Sequence, residues 1–263
     1  MNRIVVITGA SSGIGLKTAE LFRKSGDKVI NISKSPSDVG DENYLADVSN
    51  EEEIERVFEE IKRDYGRIDI LVNNAGYGMS GVTELLSTEE CKKIFDVNYF
   101  GTLNCIKKAL HIMGNGSKII NLGSAMALFP IPFRAMYGAS KAAVVNLSQS
   151  LRMELAPLGI DVCVICPGNT KTNFTKNRVK EFATNERYGD RITVATDKID
   201  KNDSKRMLPD CVARAILKQA NKKRTKPMVI VGGKYKLLYL ISNLTPKCWL
   251  LDITAKLYNG VKN

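Results

Sequence analysis

The chain has 263 residues, of which 44% are hydrophobic and 25% are charged, and its formal net charge is +11. This composition excludes disorder as the main state and supplies enough apolar residues for one large core or two small ones. The charge is uneven: residues 1–170 carry 18 basic and 20 acidic side chains, whereas residues 171–263 carry 21 and 8. The positive charge therefore belongs to the last third of the chain.

Six cysteines are scattered along the chain, and only Cys163 and Cys166 have Cys-x-x-Cys spacing. In a strand this spacing points the two thiols to opposite faces, so it predicts neither a shared metal nor a disulfide framework. The N-terminal apolar run is too short for a signal sequence, and no stretch reaches the roughly 20 apolar residues of a membrane span. We therefore expect a cytoplasmic protein with structural thiols and no metal.

Short apolar runs alternate with helical patterns over the first 170 residues. The predicted strands cover residues 4–7, 29–32, 44–46, 68–72, 118–122, 162–165 and 227–231. One predicted helix follows the first strand, one runs from an Asn50 cap to about Tyr65, one contains Leu103 to Met113, and two cover 137–155 and 209–221. Near-continuous apolar strands that alternate with helices are typical of a parallel sheet covered on both faces. The predicted fold class is therefore a doubly wound α/β domain.

A glycine-rich turn, Thr8-Gly-Ala-Ser-Ser-Gly-Ile-Gly15, lies between the first strand and the first helix. Glycines there permit a tight turn and let backbone amides approach a pyrophosphate at the helix N-terminus. The spacing differs from the usual Gly-x-Gly-x-x-Gly fingerprint of dinucleotide sites. Many such turns contain glycine for backbone reasons alone, so it is the β-α-β context that favours a nucleotide site.

This turn and six further segments resemble the short-chain dehydrogenase/reductase family in order and spacing. The segments are Asp47-Val48, Asn73-Asn-Ala-Gly76, Asn98, Ser124, Tyr137-Gly-Ala-Ser-Lys141, and Pro167-Gly168 with Thr170 and Thr172. The match covers residues 4–172, and its specificity lies in the register of the whole set. We therefore predict one Rossmann-type domain over residues 1–263. It would comprise a cofactor-binding and catalytic core (1–170), a polar substrate lid (171–207), and a C-terminal helix, strand and basic, apolar tail (208–263).

The resemblance also implies site residues. Catalytic roles fall to Asn98, Ser124, Tyr137 and Lys141. Cofactor contacts fall to Gly9, Ser11, Ser12, Gly13, Ile14, Gly15, Ser33, Lys34, Asp47, Val48, Asn74, Ala75, Gly76, Tyr137, Lys141, Pro167, Gly168, Thr170 and Thr172. In the family, the asparagine holds a water that relays protons through the lysine, whereas on its own Asn98 is equally an ordinary buried amide.

The residues themselves support this chemistry. Tyr137 and Lys141 lie four residues apart and share a helix face, so the ammonium group can lower a phenol pKa of about 10. Ser124 at a strand end can hold a substrate oxygen, and a nicotinamide supplies hydride. Taken singly, the tyrosine is also consistent with a core residue, the lysine with a solvated charge and the serine with a cap. We favour catalytic roles over these structural ones because all three residues are expected beyond the carboxyl ends of the strands, where open sheets bind ligands.

The end of the second strand indicates which dinucleotide binds. An acidic residue there would bind the ribose of NAD and repel the extra phosphate of NADP, but this position holds Ser33, followed by Lys34. With Ser12 they suit a 2′-phosphate, although Lys34 is alternatively one more surface lysine. We predict NADP(H) over NAD(H). Only residues 34–43 separate the second and third strands, so the helix usual in the family is shortened or missing.

The basic last third has three interpretations: a solvated surface, a site for a substrate with an anionic handle, and a membrane contact through residues 235–258. The cationic residues of the lid are Lys171, Lys176, Arg178 and Lys180. The tail mixes leucines, Trp249 and lysines on both sides of Pro246, as interfacial anchors do. We rank packing on the sheet or across a dimer first and peripheral membrane association second. Nucleic acid ranks last, because no recognition motif accompanies the charge.

The predicted function is NADP(H)-dependent interconversion of a ketone or aldehyde and an alcohol, with Tyr137 as general acid and base. Apolar residues near the site predict a steroid-like, acyl or aromatic carbonyl substrate. They are Met126, Leu128, Phe129, Phe133 and Phe174. The alternatives are a catalytically silent dinucleotide-binding sensor or scaffold, against which the intact catalytic set argues, and a nucleic-acid-binding module. We expect a homodimer or homotetramer that acts on a small molecule.

Overall fold

The chain is described by a computed structural model over residues 2–174, 178–180, 183–200 and 206–258. The described strands are β1 (Ile4–Thr8), β2 (Lys28–Ser33), β3 (Glu42–Leu45), β4 (Ile70–Asn73), β5 (Met79–Ser80), β6 (Lys118–Leu122), β7 (Asp161–Pro167), β8 (Val179–Lys180) and β9 (Met228–Val231). Seven of them form a parallel sheet in the order β3-β2-β1-β4-β6-β7-β9. The strand order therefore reverses between β1 and β4, which is where open sheets of this kind bind ligands.

Helices cover both faces of this sheet. They are α1 (Gly13–Lys24), α2 (Glu51–Tyr65), α3 (Thr88–Phe95), α4 (Gly101–Leu110), α5 (Ala135–Leu155), α6 (Arg191–Asp200), α7 (Pro209–Ala220), α8 (Gly233–Leu244) and α9 (Lys247–Tyr258). Side chains of α2, α4 and α5 pack on one face, and those of α1 and α7 pack on the other. The predicted doubly wound α/β fold is confirmed.

The core follows from the burial of the central strands on both sides. In β1, Val6 packs in the cluster under α2 and α4, while its neighbours Val5 and Ile7 pack in the cluster under α1 and α7. Each fully buried side chain of this kind contributes about 1.5–3 kcal/mol to folding. Because both faces are covered, the central strands are continuously apolar rather than alternating.

The two cysteines of β7 follow the same geometry. Cys163 belongs to the core under α1 and α7, whereas Cys166 belongs to a separate cluster on the opposite face. The predicted divergence of their thiols is confirmed. All six cysteines are free, and the described residues contain no group of His, Cys, Asp and Glu side chains that could hold a metal ion.

Most element boundaries agree with the sequence-based predictions to within two residues. Asn50 caps α2 as predicted, since its Oδ1 accepts hydrogen bonds from the backbone N–H groups of Glu52 and Glu53. One difference concerns Met113, which lies beyond the end of α4. Another is a π-helical turn over Asp96–Phe100 that joins α3 to α4. Such turns interrupt the regular helical hydrogen bonds and frequently occur at functional sites.

The connection from β2 to β3 contains no helix, as predicted. Side-chain hydrogen bonds hold it instead: Asn43 Oδ1 accepts from the Ser37 backbone at 2.8 Å and from Asn31 Nδ2 at 2.9 Å. The Ser37 hydroxyl donates to the carbonyl oxygen of Ala10 at 2.9 Å, and Asn31 Oδ1 accepts from the Ala10 N–H at 2.9 Å. The connection is thereby tied to the glycine-rich turn.

The predicted lid at 171–207 contains regular structure in its described parts. β8 pairs with β5, and α6 buries Ile192 and Ala195. Thr170 and Met207 form a bridge at the two ends of the segment. Lys176 lies outside the described residues.

The C-terminal tail forms α8 and α9, which pack on the rest of the chain with one side only. Tyr235 and Tyr239 contact the small cluster between β7 and β9. Leu240, Leu244 and Trp249 are exposed by 60%, 82% and 64%. Packing on the sheet therefore does not account for them, and packing across a dimer, the other part of the interpretation ranked first, stays a prediction. In the described part of the chain, no helix combines the length and the apolar content needed to cross a membrane.

Candidate active site

The glycine-rich turn places the start of α1 beside a cavity at the switch in strand order. Gly9 and Gly13 have φ angles of 70° and 58°, which a side chain would make unfavourable. Ser12 is the N-cap of α1 without a side-chain capping hydrogen bond, and the first turn contains no acidic residue. Ser12, Gly13 and Ile14 line the cavity, so the positive end of the helix dipole is presented to an anion there.

Gly15 has a different task from the rest of the turn. A Cβ at this position would lie 2.2 Å from the carbonyl oxygen of Gly9 and 2.5 Å from Asn74 Nδ2. Gly15 is not among the residues that line the cavity, and its missing side chain allows the close approach of α1 to the end of β1, while its contact with the cofactor stays a prediction. That approach leaves a backbone cradle that fits the pyrophosphate of a dinucleotide.

The segment after β4 forms the other side of this cradle. Thr8 Oγ1 accepts hydrogen bonds from the backbone of Asn74 at 3.0 Å and of Ala75 at 2.9 Å. Asn74 Nδ2 donates to the carbonyl oxygens of Thr8 at 3.0 Å and Gly9 at 3.1 Å. These bonds join the ends of two neighbouring strands. Asn74, Ala75 and Gly76 all line the cavity, as predicted from the sequence.

The residues at the end of β2 are engaged with their neighbours. Ser33 donates its hydroxyl proton to the carbonyl oxygen of Ser35 and accepts from Asn31 Nδ2 at 2.9 Å. Lys34 forms an ion pair with Asp47 at 2.5 Å, and its side chain is 71% exposed. Burial raises the pKa of Asp47, but hydrogen bonds from Lys34 and Ser49 outweigh it and hold the pKa below its ordinary value. Ser33, Lys34 and Asp47 line the same cavity.

The predicted residues Ser124, Tyr137 and Lys141 meet where β6 and α5 approach each other. Ser124 follows β6, and its Oγ accepts from the backbone of Met126 at 3.1 Å. Tyr137 is buried at the start of α5, within hydrogen-bonding reach of Ser124. Lys141 is buried one turn later, and its Nζ donates to the carbonyl oxygen of Leu122 at 2.9 Å. All three line the cavity.

Burial dominates the protonation of this group. It raises the pKa of Tyr137 above its ordinary value, against a hydrogen bond from Ser124 and the positive charge of Arg134, which lower it. Arg134 is the cation that lowers the pKa of Tyr137 here, and the expected lowering by Lys141 together with an oxidised nicotinamide stays a prediction. Burial lowers the pKa of Lys141 itself to about 8. A neutral, buried phenol is a proton donor, which suits the reducing direction.

Asn98 lies behind the cavity wall rather than in it. It sits in the π-helical turn, where its Oδ1 accepts from the Tyr77 N–H at 3.0 Å and its Nδ2 donates to the Tyr77 carbonyl at 3.1 Å and to Ser140 Oγ at 3.0 Å. A Cβ on Gly76 would lie 2.7 Å from Asn98 Oδ1 and 3.4 Å from Lys141 Nζ. The glycine therefore lets the amide and the ammonium groups approach the same spot.

One cavity of about 710 Å³ connects these groups. Of the site residues predicted from the sequence, all except Gly15 and Asn98 line it. The end of β7 contributes Pro167, Gly168, Thr170 and Thr172.

The predicted apolar compartment is confirmed in part. Met126, Phe129 and Phe174 line the cavity. Leu128 instead packs in the cluster between β7 and β9, so its prediction as a pocket residue is wrong. Phe133 is also wrong: it has a φ angle of 62°, and its ring lies under the guanidinium of Arg191, with 5.7 Å between centroid and Cζ.

Arg134 is a site residue that sequence reasoning missed. It is 5% exposed and lines the cavity, and its Cζ lies 5.0 Å from the centroid of the Tyr137 ring. A sequence signal existed, because Arg134 is the single charged residue between Lys118 and Lys141. An isolated charge within an apolar stretch of this kind marks a buried position with a specific task.

Described residues of the 171–207 segment and of the C-terminal helices border the far end of the cavity; the sequence predicted the first as a lid but did not reveal the second. Of the lid cations considered for an anionic substrate, Arg178 lines the cavity, whereas Lys171 and Lys180 do not. The C-terminal helices contribute residues from both α8 and α9. These are Lys234, Tyr235, Leu238, Leu250, Ile253, Thr254, Leu257 and Tyr258.

Comparisons with known proteins identify relatives of this chain. The family model for short chain dehydrogenases matches residues 3–182. The 3-ketodihydrosphingosine reductase of Bacteroides thetaiotaomicron is 36% identical over 95% of this chain and 94% of its own length.

Two solved structures of similar chains contain a bound dinucleotide. A 3-ketoacyl-(acyl-carrier-protein) reductase from Brucella melitensis, complexed with NADH, has a TM-score of 0.72 at 27% identity, covering 87% of this chain and 95% of its own. ElxO with NADP bound has a TM-score of 0.73 at 27% identity, covering 89% and 99%. With the family model, the fold and the ordered site, these likenesses establish that the chain belongs to the short-chain dehydrogenase/reductase family of NAD(P)-dependent oxidoreductases.

Proposed function

We propose that this protein is an NADP(H)-dependent reductase that interconverts a carbonyl and an alcohol on an apolar substrate, with Tyr137 as general acid and base. The observation that carries the proposal is the shared cavity. It runs from the backbone cradle at Gly9 past Tyr137 to the apolar wall of α8 and α9. A cofactor and a long substrate can therefore meet at the phenol.

The proposed roles follow from the positions of the side chains. Ser124 holds the substrate oxygen, and Tyr137, neutral because it is buried, gives that oxygen its proton. A bound nicotinamide would supply the hydride that the carbonyl carbon takes up. Lys141, with its pKa lowered to about 8, is poised to return a proton to the phenol. Asn98 and a water that it orders are the proposed next step of this relay.

NADP(H) is the cofactor we propose, since Lys34 is the nearest cation to the end of β2 and no acid follows the strand. Lys34 is held by Asp47 at 2.5 Å, and this pair must open for the ammonium group to meet a 2′-phosphate. An exposed pair is worth only about 0–1 kcal/mol, so a phosphate competes with it readily. The Ser33 hydroxyl is already engaged with Ser35 and has the smaller part in this choice.

The substrate we propose is a ketone on a long alkyl chain, with residues 171–207 acting as its lid. Phe129, Phe174 and Leu250 give the cavity an apolar wall, which suits an alkyl chain. The similarity to a 3-ketodihydrosphingosine reductase and to a 3-ketoacyl reductase supports an oxo group near one end of the chain.

The test is NADPH oxidation with a panel of long-chain 3-oxo lipids, steroid ketones and aromatic ketones, with NADPH binding measured by calorimetry. Turnover of a 3-oxo lipid above the other classes is expected. Tight NADPH binding without turnover of any carbonyl would favour the alternative, a dinucleotide sensor. Light scattering on the same sample tests the homodimer or homotetramer that we propose as the assembly.

A further inference from the structure

The C-terminal helix pair, α8 and α9, exposes an unusual amount of apolar surface. Of the thirteen large hydrophobic residues that are exposed in the described chain, eight belong to this pair. On α8 they include Leu237, Leu240 and Leu244, which are spaced as one stripe along the helix. On α9 the exposed Trp249 and Ile253 are one turn apart. A large exposed apolar patch of this kind indicates an interaction surface for a protein or a membrane.

The positive charge of the helix pair indicates what kind of surface covers this apolar patch. Residues 233–258 contain four lysines and a single acid, Asp252. All four lysines are exposed and lie near the helix ends; Lys236, Lys247 and Lys256 do not line the cavity, whereas Lys234 does. Apolar side chains bordered by lysines are the pattern of a helix that lies in the plane of a bilayer, where each lysine near anionic lipid contributes about 1 kcal/mol.

The same helices form the wall of the substrate cavity. Ile253 and Leu257 line the cavity and are also 55% and 58% exposed. Leu250 and Thr254 lie on the cavity side of α9, whereas Trp249 faces away from it. The apolar interior of the cavity is therefore continuous with the apolar surface outside it.

We propose that the C-terminal helix pair docks on an anionic phospholipid surface and that a long-chain carbonyl lipid enters the cavity directly from that surface. This rests on the proposed function for the identity of the reacting group, but the docking itself does not. The helix pair lies flat, with its leucines at the level of the acyl chains and its lysines at the phosphates.

The first experiment measures vesicle binding. Vesicles of phosphatidylcholine and phosphatidylglycerol in equal parts are compared with vesicles of phosphatidylcholine alone, by co-sedimentation of the full chain. We expect binding to the anionic vesicles that weakens as salt is raised. The variant Leu244→Gln with Trp249→Gln should lower the partition coefficient at least about tenfold, because it removes apolar contact with the lipid.

A matched control keeps the number and exposure of the substitutions constant. Met153 and Leu158 are 72% and 60% exposed, close to the 82% and 64% of Leu244 and Trp249, and none of these four side chains lines the cavity. Met153→Gln with Leu158→Gln should therefore leave vesicle binding unchanged. Equal binding by the two double variants, or wild-type binding that ignores lipid charge, overturns the proposal.

A second readout separates docking from chemistry. With ethyl acetoacetate, a water-soluble 3-oxo ester, the Leu244 and Trp249 variant should keep wild-type turnover, while turnover of a 3-oxo lipid embedded in the anionic vesicles falls at least several-fold. A wild-type chain that reduces ethyl acetoacetate yet does not bind vesicles overturns the docking alone. A chain that binds vesicles but reduces neither ketone overturns the proposed function. If the variant changes the oligomeric state and the wild type does not bind vesicles, a second copy of the chain covers this face.

Discussion

The two ends of the cavity are built in different ways. At the cofactor end, Gly9 and Asn74 follow the ends of buried parallel strands and are joined by a hydrogen bond from Asn74 Nδ2 to the Gly9 carbonyl oxygen, while Tyr137 lies on the long helix α5. At the substrate end, the wall consists of α8 and α9, which pack with one side only and expose leucines on the other. The reacting groups therefore lie on core elements, which form the rigid end of the cavity, whereas the substrate wall lies on surface helices, which form its peripheral end. Residues of the peripheral end can change without disturbing the reacting groups.

The strongest test of the rigid end is Tyr137→Phe. Removing the phenol hydroxyl should lower kcat for NADPH-dependent reduction by about 100-fold to 10,000-fold, the range that a positioned general acid contributes. Calorimetry should show NADPH binding within a few-fold of wild type. Tyr65→Phe, at the far end of α2, is the matched control and should keep full activity. Retention of most turnover by the Tyr137 variant would remove this residue from the chemistry.

Gly15→Ala tests whether the cradle depends on close backbone approach. The new Cβ would lie 2.2 Å from the Gly9 carbonyl oxygen, so either α1 or the turn must move. We expect a loss of about 1–3 kcal/mol in the free energy of unfolding, as for other overpacked sites, together with weaker NADPH binding. Urea denaturation and cofactor titration measure the two effects.

Gly114→Ala is the control for that experiment, since no atom lies within 4 Å of a Cβ built there and its φ is not positive. It should be close to neutral in both measurements. If Gly15→Ala behaves in the same way, the close approach is not what shapes the cradle.

Ser33→Asp with Lys34→Ala tests which dinucleotide the site prefers. An acid at the end of β2 would repel a 2′-phosphate and bind the ribose hydroxyls, so the ratio of kcat/KM for NADPH over NADH should fall at least about tenfold. Lys24→Ala, which removes an exposed lysine at the end of α1, should leave the ratio unchanged. An unaltered ratio in the double variant would refute the assignment of this strand end.

The smallest expected effect is that of replacing Arg134, which lines the cavity beside the Tyr137 ring. Its positive charge favours the phenolate and so lowers the pKa of Tyr137 against the effect of burial. In Arg134→Gln that pKa should rise, so the rising limb of the pH profile for alcohol oxidation, which requires phenolate, should move to higher pH. Arg134→Lys keeps the charge and should move it less. Coincident profiles for all three proteins would show that the guanidinium does not act on the phenol.

The sequence could predict the rigid end because its signals are local and ordered. Continuous apolar strands, the glycine turn and the Tyr137 to Lys141 spacing each report on a few neighbouring residues, and the parallel sheet brings the strand ends together. The pairing of β5 with β8 could not be predicted in this way, because two-residue strands have no periodic pattern.

For the peripheral end, the sequence revealed the composition of the helices but not how they pack. Leucines, Trp249 and lysines between residues 235 and 258 are visible in the sequence, but whether such residues pack inward depends on contacts with distant elements. The pKa of Tyr137 shows the same limit. Helical spacing placed Lys141 beside the phenol, whereas the degree of burial and the approach of Arg134 are properties of the folded chain.

The most direct test of the central claim, that one cavity brings a dinucleotide and a lipid ketone together at Tyr137, is isotope transfer. The full chain is mixed with a long-chain 3-oxo lipid in anionic vesicles and NADPH that carries deuterium at both positions of the reactive CH2 carbon of its nicotinamide ring, and the product alcohol is analysed by mass spectrometry. We predict one deuterium on the new carbinol carbon for the wild type and almost none for Tyr137→Phe. NADPH that binds but transfers no label to this lipid would contradict the account.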